Sequence, residues 1–200
     1  MTELILFGSL ALMIFINIPI AIALGLASIF TLLYTGDPLG VVPAMMQATV
    51  QKFTLLTIPL FILAGALMDK GGISKRLINL ANCFFGGMHG GMGIVAVIAA
   101  MFFAAISGSG TATVAAIGSI LIPAMVKEGY DSGFSSGLSA ISGSLGTIIP
   151  PSITFIIYGM ITGESIGDLF FAGIVPGCIF GGILCIYTYW ISKKNNWGGK

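Results

Sequence analysis

Phe102-Phe103-Ala104-Ala105-Ile106-Ser107-Gly108-Ser109-Gly110-Thr111-Ala112-Thr113 is one of two stretches whose reading decides the fold. The other is Ser142-Gly143-Ser144-Leu145-Gly146-Thr147-Ile148-Ile149-Pro150-Pro151-Ser152. Each places glycines and small hydroxyls between apolar runs of helical length. In water such punctuation marks an ordinary loop. In lipid, backbone that leaves the helix at membrane depth must be buried in protein or line a cavity. Two interruptions of this kind in one short chain point to a site for an ion or a small polar solute.

The composition supplies the membrane. Apolar residues make up 56% and charged residues 8% of the 200 residues, against about 25% charged in an average soluble domain. The sequence is that of a polytopic membrane protein embedded in a lipid bilayer. A formal net charge of +1 gives no ground for a nucleic-acid partner. Cys83, Cys178 and Cys185 lack metal spacing or a paired framework and are read as apolar filler. Met1-Thr2-Glu3 has no basic n-region, so the first apolar run is expected to be a retained span.

Working outward from the two stretches, Gly93–Ile106 and Ala112–Met125 flank the polar tip Ser107–Thr111 without a formal charge. Each arm reads as roughly 14 residues, short for a span and suited to a re-entrant hairpin. Two ordinary spans are the alternative. Ser132 to Ile161 runs uncharged, and its paired prolines remove two backbone donors, so that helix must open around Gly146–Pro151. Leu169 to Ser192 is a last span, closed by Tyr187, Tyr189, Trp190 and then Lys193-Lys194.

Towards the N-terminus, Leu4 to Gly36 carries no charge. Thirty helical residues reach about 45 Å against a core of about 30 Å, so the run must tilt, project or break, with Asn17-Ile18-Pro19 as the natural kink. Asp37 to Gln51 is a loop and a short helix, and Phe53 to Met68 a short span containing Pro59. Gly71 to Gly91 alternates Ile73, Leu77, Leu80, Ala81 and Phe84 with Lys75, Arg76, Asn79 and Asn82 at helical spacing. That pattern fits a helix on the membrane surface or one bracing other helices.

Lysine and arginine set the orientation. With both termini inside, Lys70, Lys75, Arg76, Lys127, Lys193, Lys194 and Lys200 are cytoplasmic, and only Lys52 is outside. Small-residue pairs (Gly133/Gly137, Gly159/Gly163, Gly173/Gly177/Gly181) permit close helix packing, although glycine is frequent enough here for chance pairs.

An alkali cation asks for several hard oxygen ligands. Hydroxyls and freed carbonyls supply them without a formal charge, which would cost about 2.5–3.5 kcal/mol at the membrane centre. Ser107, Ser109, Thr111 and Thr113 offer side-chain oxygens, and the opened backbone at Gly146, Ile149 and Pro151 offers carbonyls. The competing reading is that these residues only let helices pack and kink, their hydroxyls bonded to the preceding turn.

The run Ser107 to Gly118 and the run Gly146 to Ser152, with Pro59-Leu60-Phe61-Ile62-Leu63-Ala64-Gly65 and Tyr130-Asp131, resemble the large membrane subunit of tripartite ATP-independent periplasmic (TRAP) transporters. The resemblance covers the whole chain in order and spacing. It implies an all-α membrane protein: one repeat of an inverted-repeat, elevator-type transporter. Residues 1–91 would form scaffold-type spans and an interfacial arm helix. Residues 92–164 would form the transport region, with hairpin 93–125 and broken helix 132–161. Residues 165–200 would form the last span and tail. It further implies sodium-driven uptake of organic acids, of dicarboxylate or sialic-acid type, across the bacterial inner membrane. No cofactor is implied beyond the coupling ion. The family's sodium site matches Ser107, Ser109, Gly146, Ile149 and Pro151, with Gly108, Gly110, Thr111, Thr113 and Thr147 as substrate-side candidates. The partners implied are a periplasmic solute-binding protein and a small membrane subunit. The family's large subunit holds two inverted repeats and this chain carries the first, so the second half is a further expected partner.

Two other classes compete. An accessory membrane subunit would have no site of its own. An intramembrane serine protease would use Ser109 and His89, but its Gly-x-Ser-Gly pattern needs glycine where Ser107 stands. His89 also sits in a glycine-rich turn at a membrane boundary.

Overall fold

The computed structural model describes residues 1–198. Among them every regular element is helical. Two compact units divide the chain, Met1–Phe53 and Thr54–Lys200.

In the first unit the long apolar run breaks into α1 (Thr2–Phe15) and α2 (Ile20–Thr35). A mere kink is not enough because Asn17 takes a left-handed φ of 62°. Pro19 then starts α2 without an amide to offer. The two helices lie against each other, Met13, Ala23 and Ala27 buried. Pairing two helices of 14 and 16 residues resolves the excess length that the sequence posed. The expected short helix follows as α3 (Val41–Val50), with no buried residue.

The second unit is built around a single helix. A 3-10 turn (Phe53–Leu56) leads into α4 (Thr57–Lys70), whose Pro59 lies in the first turn and so breaks no helical bond. Next comes α5 (Ile73–Phe85), the amphipathic helix, with Ser74, Ile78 and Ala81 buried. It packs along α6, a contact that the bracing role requires. The central helix, α6 (Gly91–Ser107), is buried on nearly all sides: Val95, Val97, Ala99, Ala100, Phe103 and Ala104 are each at most 2% exposed. Its side chains are small, so α4, α5, α7, α8 and α11 can all approach it. In lipid this close approach replaces the hydrophobic drive that burial provides in water.

The arm that returns is α7 (Gly110–Lys127), antiparallel to α6. The arms hold 17 and 18 residues, not about 14, because helix runs through Gly91 and Gly110 to the turn. At roughly 25 Å and 27 Å, arm length no longer separates a re-entrant hairpin from two spans. Both outer ends of the hairpin nevertheless meet. The Gly93 amide donates to the Tyr130 hydroxyl at 3.4 Å. Tyr130, Phe134 and Trp197 stack there, with ring centroids 5.0–6.3 Å apart. Burial pushes the Tyr130 phenol above its ordinary pKa, and the Gly93 amide pulls it part of the way back.

The broken helix forms as expected. Asp131 caps α8 (Ser132–Gly143) by accepting from Phe134 N at 2.9 Å, and α9 (Leu145–Ile148) ends at extended Ile149. After Pro150-Pro151, Ser152 caps α10 (Ile153–Thr162). The last helix, α11 (Ile166–Asn195), continues past Pro176 for 30 residues. By length and composition four segments can cross a membrane: Phe53–Lys70, Gly110–Lys127, Ser132–Thr162 and Ile166–Asn195. The chain is therefore a multi-pass membrane protein. Of the glycine pairs, Gly173, Gly177 and Gly181 seat α11 on Ile148, Ile149 and Met101 respectively, whereas Gly137 faces open space. Cys83 and Cys178 are exposed on outer faces and only Cys185 is partly covered, so the first two do not fill a core.

Candidate functional site

The tip of the α6/α7 hairpin is a turn of two residues, Gly108 and Ser109. Gly108 has φ +61°, and a Cβ there would lie 2.6 Å from the Pro151 carbonyl oxygen, so glycine is required twice over. Ser109 is the N-cap of α7 and accepts from Ala112 N at 3.4 Å. The oxygens around the turn converge. Thr113 Oγ1 donates to the Ser109 carbonyl at 2.8 Å and lies 3.2 Å from Ser107 Oγ. A hydroxyl has one proton. Because Thr113 spends its own on the carbonyl, the Ser107 proton is left with two acceptors, Thr113 Oγ1 at 3.2 Å and the Ser109 carbonyl at 3.4 Å. Ser107 Oγ also lies 3.4 Å from the Ser109 amide, and one of its lone pairs stays open.

The opened helix lies directly against this tip. Ile153 N donates to the Gly108 carbonyl at 3.2 Å. A Cβ on Gly146 would sit 2.8 Å from Gly110 N and 2.9 Å from Ser109 O, and one on Gly110 would sit 2.8 Å from Gly143 O. These approaches need no side chain at three positions, and that is why the glycines stand where they do. Ile149 turns its side chain towards Gly177 of α11, away from the tip. The Pro150-Pro151 peptide is cis.

Most of the residues singled out in the sequence thus meet: Ser107, Gly108, Ser109, Gly110, Gly146 and Pro151 form one junction. Thr113 is fully buried and bonded inside it. Thr111 is exposed, its hydroxyl 3.2 Å from Ser109 Oγ, and exposed Thr147 donates to Ser144 O at 2.7 Å. Two residues were missed. Ser152, fully buried, donates to the Thr147 carbonyl at 2.7 Å and caps α10, closing the opened segment. Its signal was a serine directly before an apolar run. Gly65 of α4 brings its backbone to Ser107, at 3.3 Å from a Cβ built there.

Two open cavities flank the tip and share Ser109. One, of about 700 Å³, is bordered by Gly65, Asp69, Lys75, Ser107 and Ser119. The other, of about 640 Å³, is bordered by Thr111, Ser144, Thr147 and Thr154.

The family model described as "Tripartite ATP-independent periplasmic transporter, DctM component" matches residues 7–200. The chain belongs to the DctM family. Among the similar proteins, the isethionate TRAP transporter permease protein DctMQ of Oleidesulfovibrio alaskensis is 48% identical over 197 residues, covering 98% of this chain and 31% of that protein. The C4-dicarboxylate TRAP transporter large permease protein DctM of Rhodobacter capsulatus is 40% identical over 210 residues, covering 97% of this chain and 48% of that protein. Its namesake from Vibrio cholerae is 44% identical over 186 residues, covering 92% of this chain and 41% of that protein. This DctM-family chain therefore spans between about a third and a half of the length of these relatives.

The relatives are permease subunits and not enzymes, which ends the protease reading. Geometry agrees, since His89 precedes α6 and Ser109 follows its far end, about 25 Å of helix away.

Proposed function

We propose that this chain is the N-terminal part of a large permease subunit that imports small organic acids with sodium. A periplasmic binding protein would deliver the solute, a small membrane subunit would sit alongside, and the rest of the large subunit would complete the transport region. The names of the relatives support the solute class: isethionate and C4-dicarboxylates are both small and acidic. Sialic acids are organic acids too, with a carboxylate where isethionate has a sulfonate. The single arginine, Arg76 of α5, borders neither tip cavity, so a carboxylate-binding arginine would have to come from the missing portion.

The observation that carries the ion reading is the convergence of Ser107 Oγ, Ser109 O and Thr113 Oγ1 against the backbone of Gly146 and Pro151. It is an oxygen cluster without a formal charge, and Ser107 keeps an open lone pair. Each sodium moving inward contributes about 2.3 kcal/mol per 100 mV. In the complete transporter, Ser107→Ala should raise the sodium concentration for half-maximal uptake while leaving the amount of protein in the membrane nearly unchanged. Unchanged sodium dependence would remove the site and favour an accessory role.

The reading includes an orientation: inner membrane, both termini and the 127–131 turn cytoplasmic, and the Glu164–Asp168 turn outside. Lys127, the start of α6 and the Lys193–Lys194 end of α11 share one end of the second unit, through Tyr130, Gly93 and Trp197. Asp168 and Lys193 stand about 38 Å apart along α11. Lys200 lies outside the described residues. Cysteine labelling from outside at Glu164→Cys, with none at Lys127→Cys, is the expected pattern, and the reverse would invert the topology.

A further inference from the structure

Behind the tip, between α6, α7 and α8, lies a void of about 10 Å³. Its walls are mostly apolar (Ala96, Ala100, Ile117, Leu121, Met125), yet Thr113, Ser139 and Ser142 also line it. Ser142 is 1% exposed, and its hydroxyl has no hydrogen-bond partner among the described residues. An unmade bond of that kind costs about 1–3 kcal/mol. The void is the size of a single-water site, and buried waters are found where a void of that size meets two to four polar groups.

We propose that one buried water joins Ser142 and Ser139 of α8 to Thr113 of α7, making Ser142 a positioning residue for the oxygen cluster at the tip. The proposal rests on the ion-site reading for its consequence, though not for the water itself. Proton counting gives the bridge its direction. Thr113 donates to the Ser109 carbonyl, and whether the Ser107 proton goes to Thr113 or to that same carbonyl, at least one Thr113 lone pair is left to accept from a water. Ser142 has a proton to give and donates it to that water. The order Ser142 to water to Thr113 to Ser109 carbonyl fixes the Thr113 rotamer. It thereby keeps the Ser107 proton turned inward and its open lone pair turned towards the ion. The occupant is water and not a second cation, because three hydroxyls among apolar walls are fewer oxygens than the tip gathers and include no freed carbonyl.

Two measurements test this in the complete transporter. In a structure resolving ordered water, one density peak should lie at about 2.7–3.0 Å from Ser142 Oγ, Ser139 Oγ and Thr113 Oγ1. A dry void with these side chains ordered overturns the proposal, as does a species at about 2.4 Å from its ligands, which is a cation. In uptake, Ser142→Ala should raise the half-maximal sodium concentration about three- to tenfold, the range set by one lost hydrogen bond. The Ser142→Ala and Thr113→Val effects should not add, because the first acts through the second. If Ser107→Ala shifts the sodium dependence and Ser142→Ala does not, the positioning role is wrong and the ion site stands. If neither shifts it, the ion-site reading and the positioning role fail together, whatever the density shows of the water.

Discussion

The two ends of the α6/α7 hairpin are held by opposite means. At the base, large rings do the work: Tyr130, Phe134 and Trp197 stack, with Phe134 reaching Tyr187 at 6.5 Å. At the tip no ring takes part, and the packing is backbone on backbone through Gly108, Gly110 and Gly146. Rings tolerate small displacements because their contact is spread over many atoms. A glycine junction tolerates none, since a single added carbon meets an oxygen or an amide. The tip is thus the part where geometry is specified most tightly, as the proposed ion site of neutral oxygens would require.

That contrast can be broken most severely at Gly146. Gly146→Val would put a β-branched side chain 2.8 Å from Gly110 N and the Ser109 carbonyl carbon, and should abolish uptake. Overpacking of this kind costs about 1–3 kcal/mol or more, which a thermal melt of the purified protein would register. A transporting Gly146→Val protein would show that the junction is loose. Gly108→Ala comes next, because it combines a left-handed φ with the overlap on Pro151 O. A loss of about 2 kcal/mol and a large fall in uptake are expected. At the base, Trp197→Ala should lower the melting temperature by the loss of about 1–2 kcal/mol of ring contacts, with the sodium dependence of uptake unmoved. A shift in sodium dependence there would mean that the base and the tip are coupled. The smallest effect on stability belongs to Ser109→Ala, which removes the α7 cap at a cost of about 1 kcal/mol. Alanine keeps the Ser109 carbonyl, so a raised sodium requirement in titrated uptake would add the Ser109 hydroxyl to the ion's ligands, and parental sodium dependence would leave that side chain as a cap alone.

Much of the tip was legible in the sequence for a physical reason. Glycines, hydroxyls and paired prolines in an uncharged run have few uses at membrane depth, so the two stretches could be paired before any coordinates. The arm lengths were not legible, because Gly91 and Gly110 look like turn residues and here begin helices whose neighbours leave no room for a side chain. Nor was the choice among tilting, projecting and breaking, since a proline alone suggests a kink and the left-handed asparagine that completes the break at Asn17 leaves no pattern. Ser142 was quoted in the sequence only as part of a run. That its hydroxyl is buried and unpartnered depends on how α8 turns against α6 and α7.

The covering of α6 also has a consequence for the order in which the protein is made. The central helix leaves the ribosome well before α8, α9 and α11, which supply much of its cover. Until α11 arrives, Met101 has no Gly181 to lie against, and Ile149 no Gly177. Such late, distant contacts are the slow ones in folding. The cover of α6 within this part of the chain is therefore unfinished until α11 is in place.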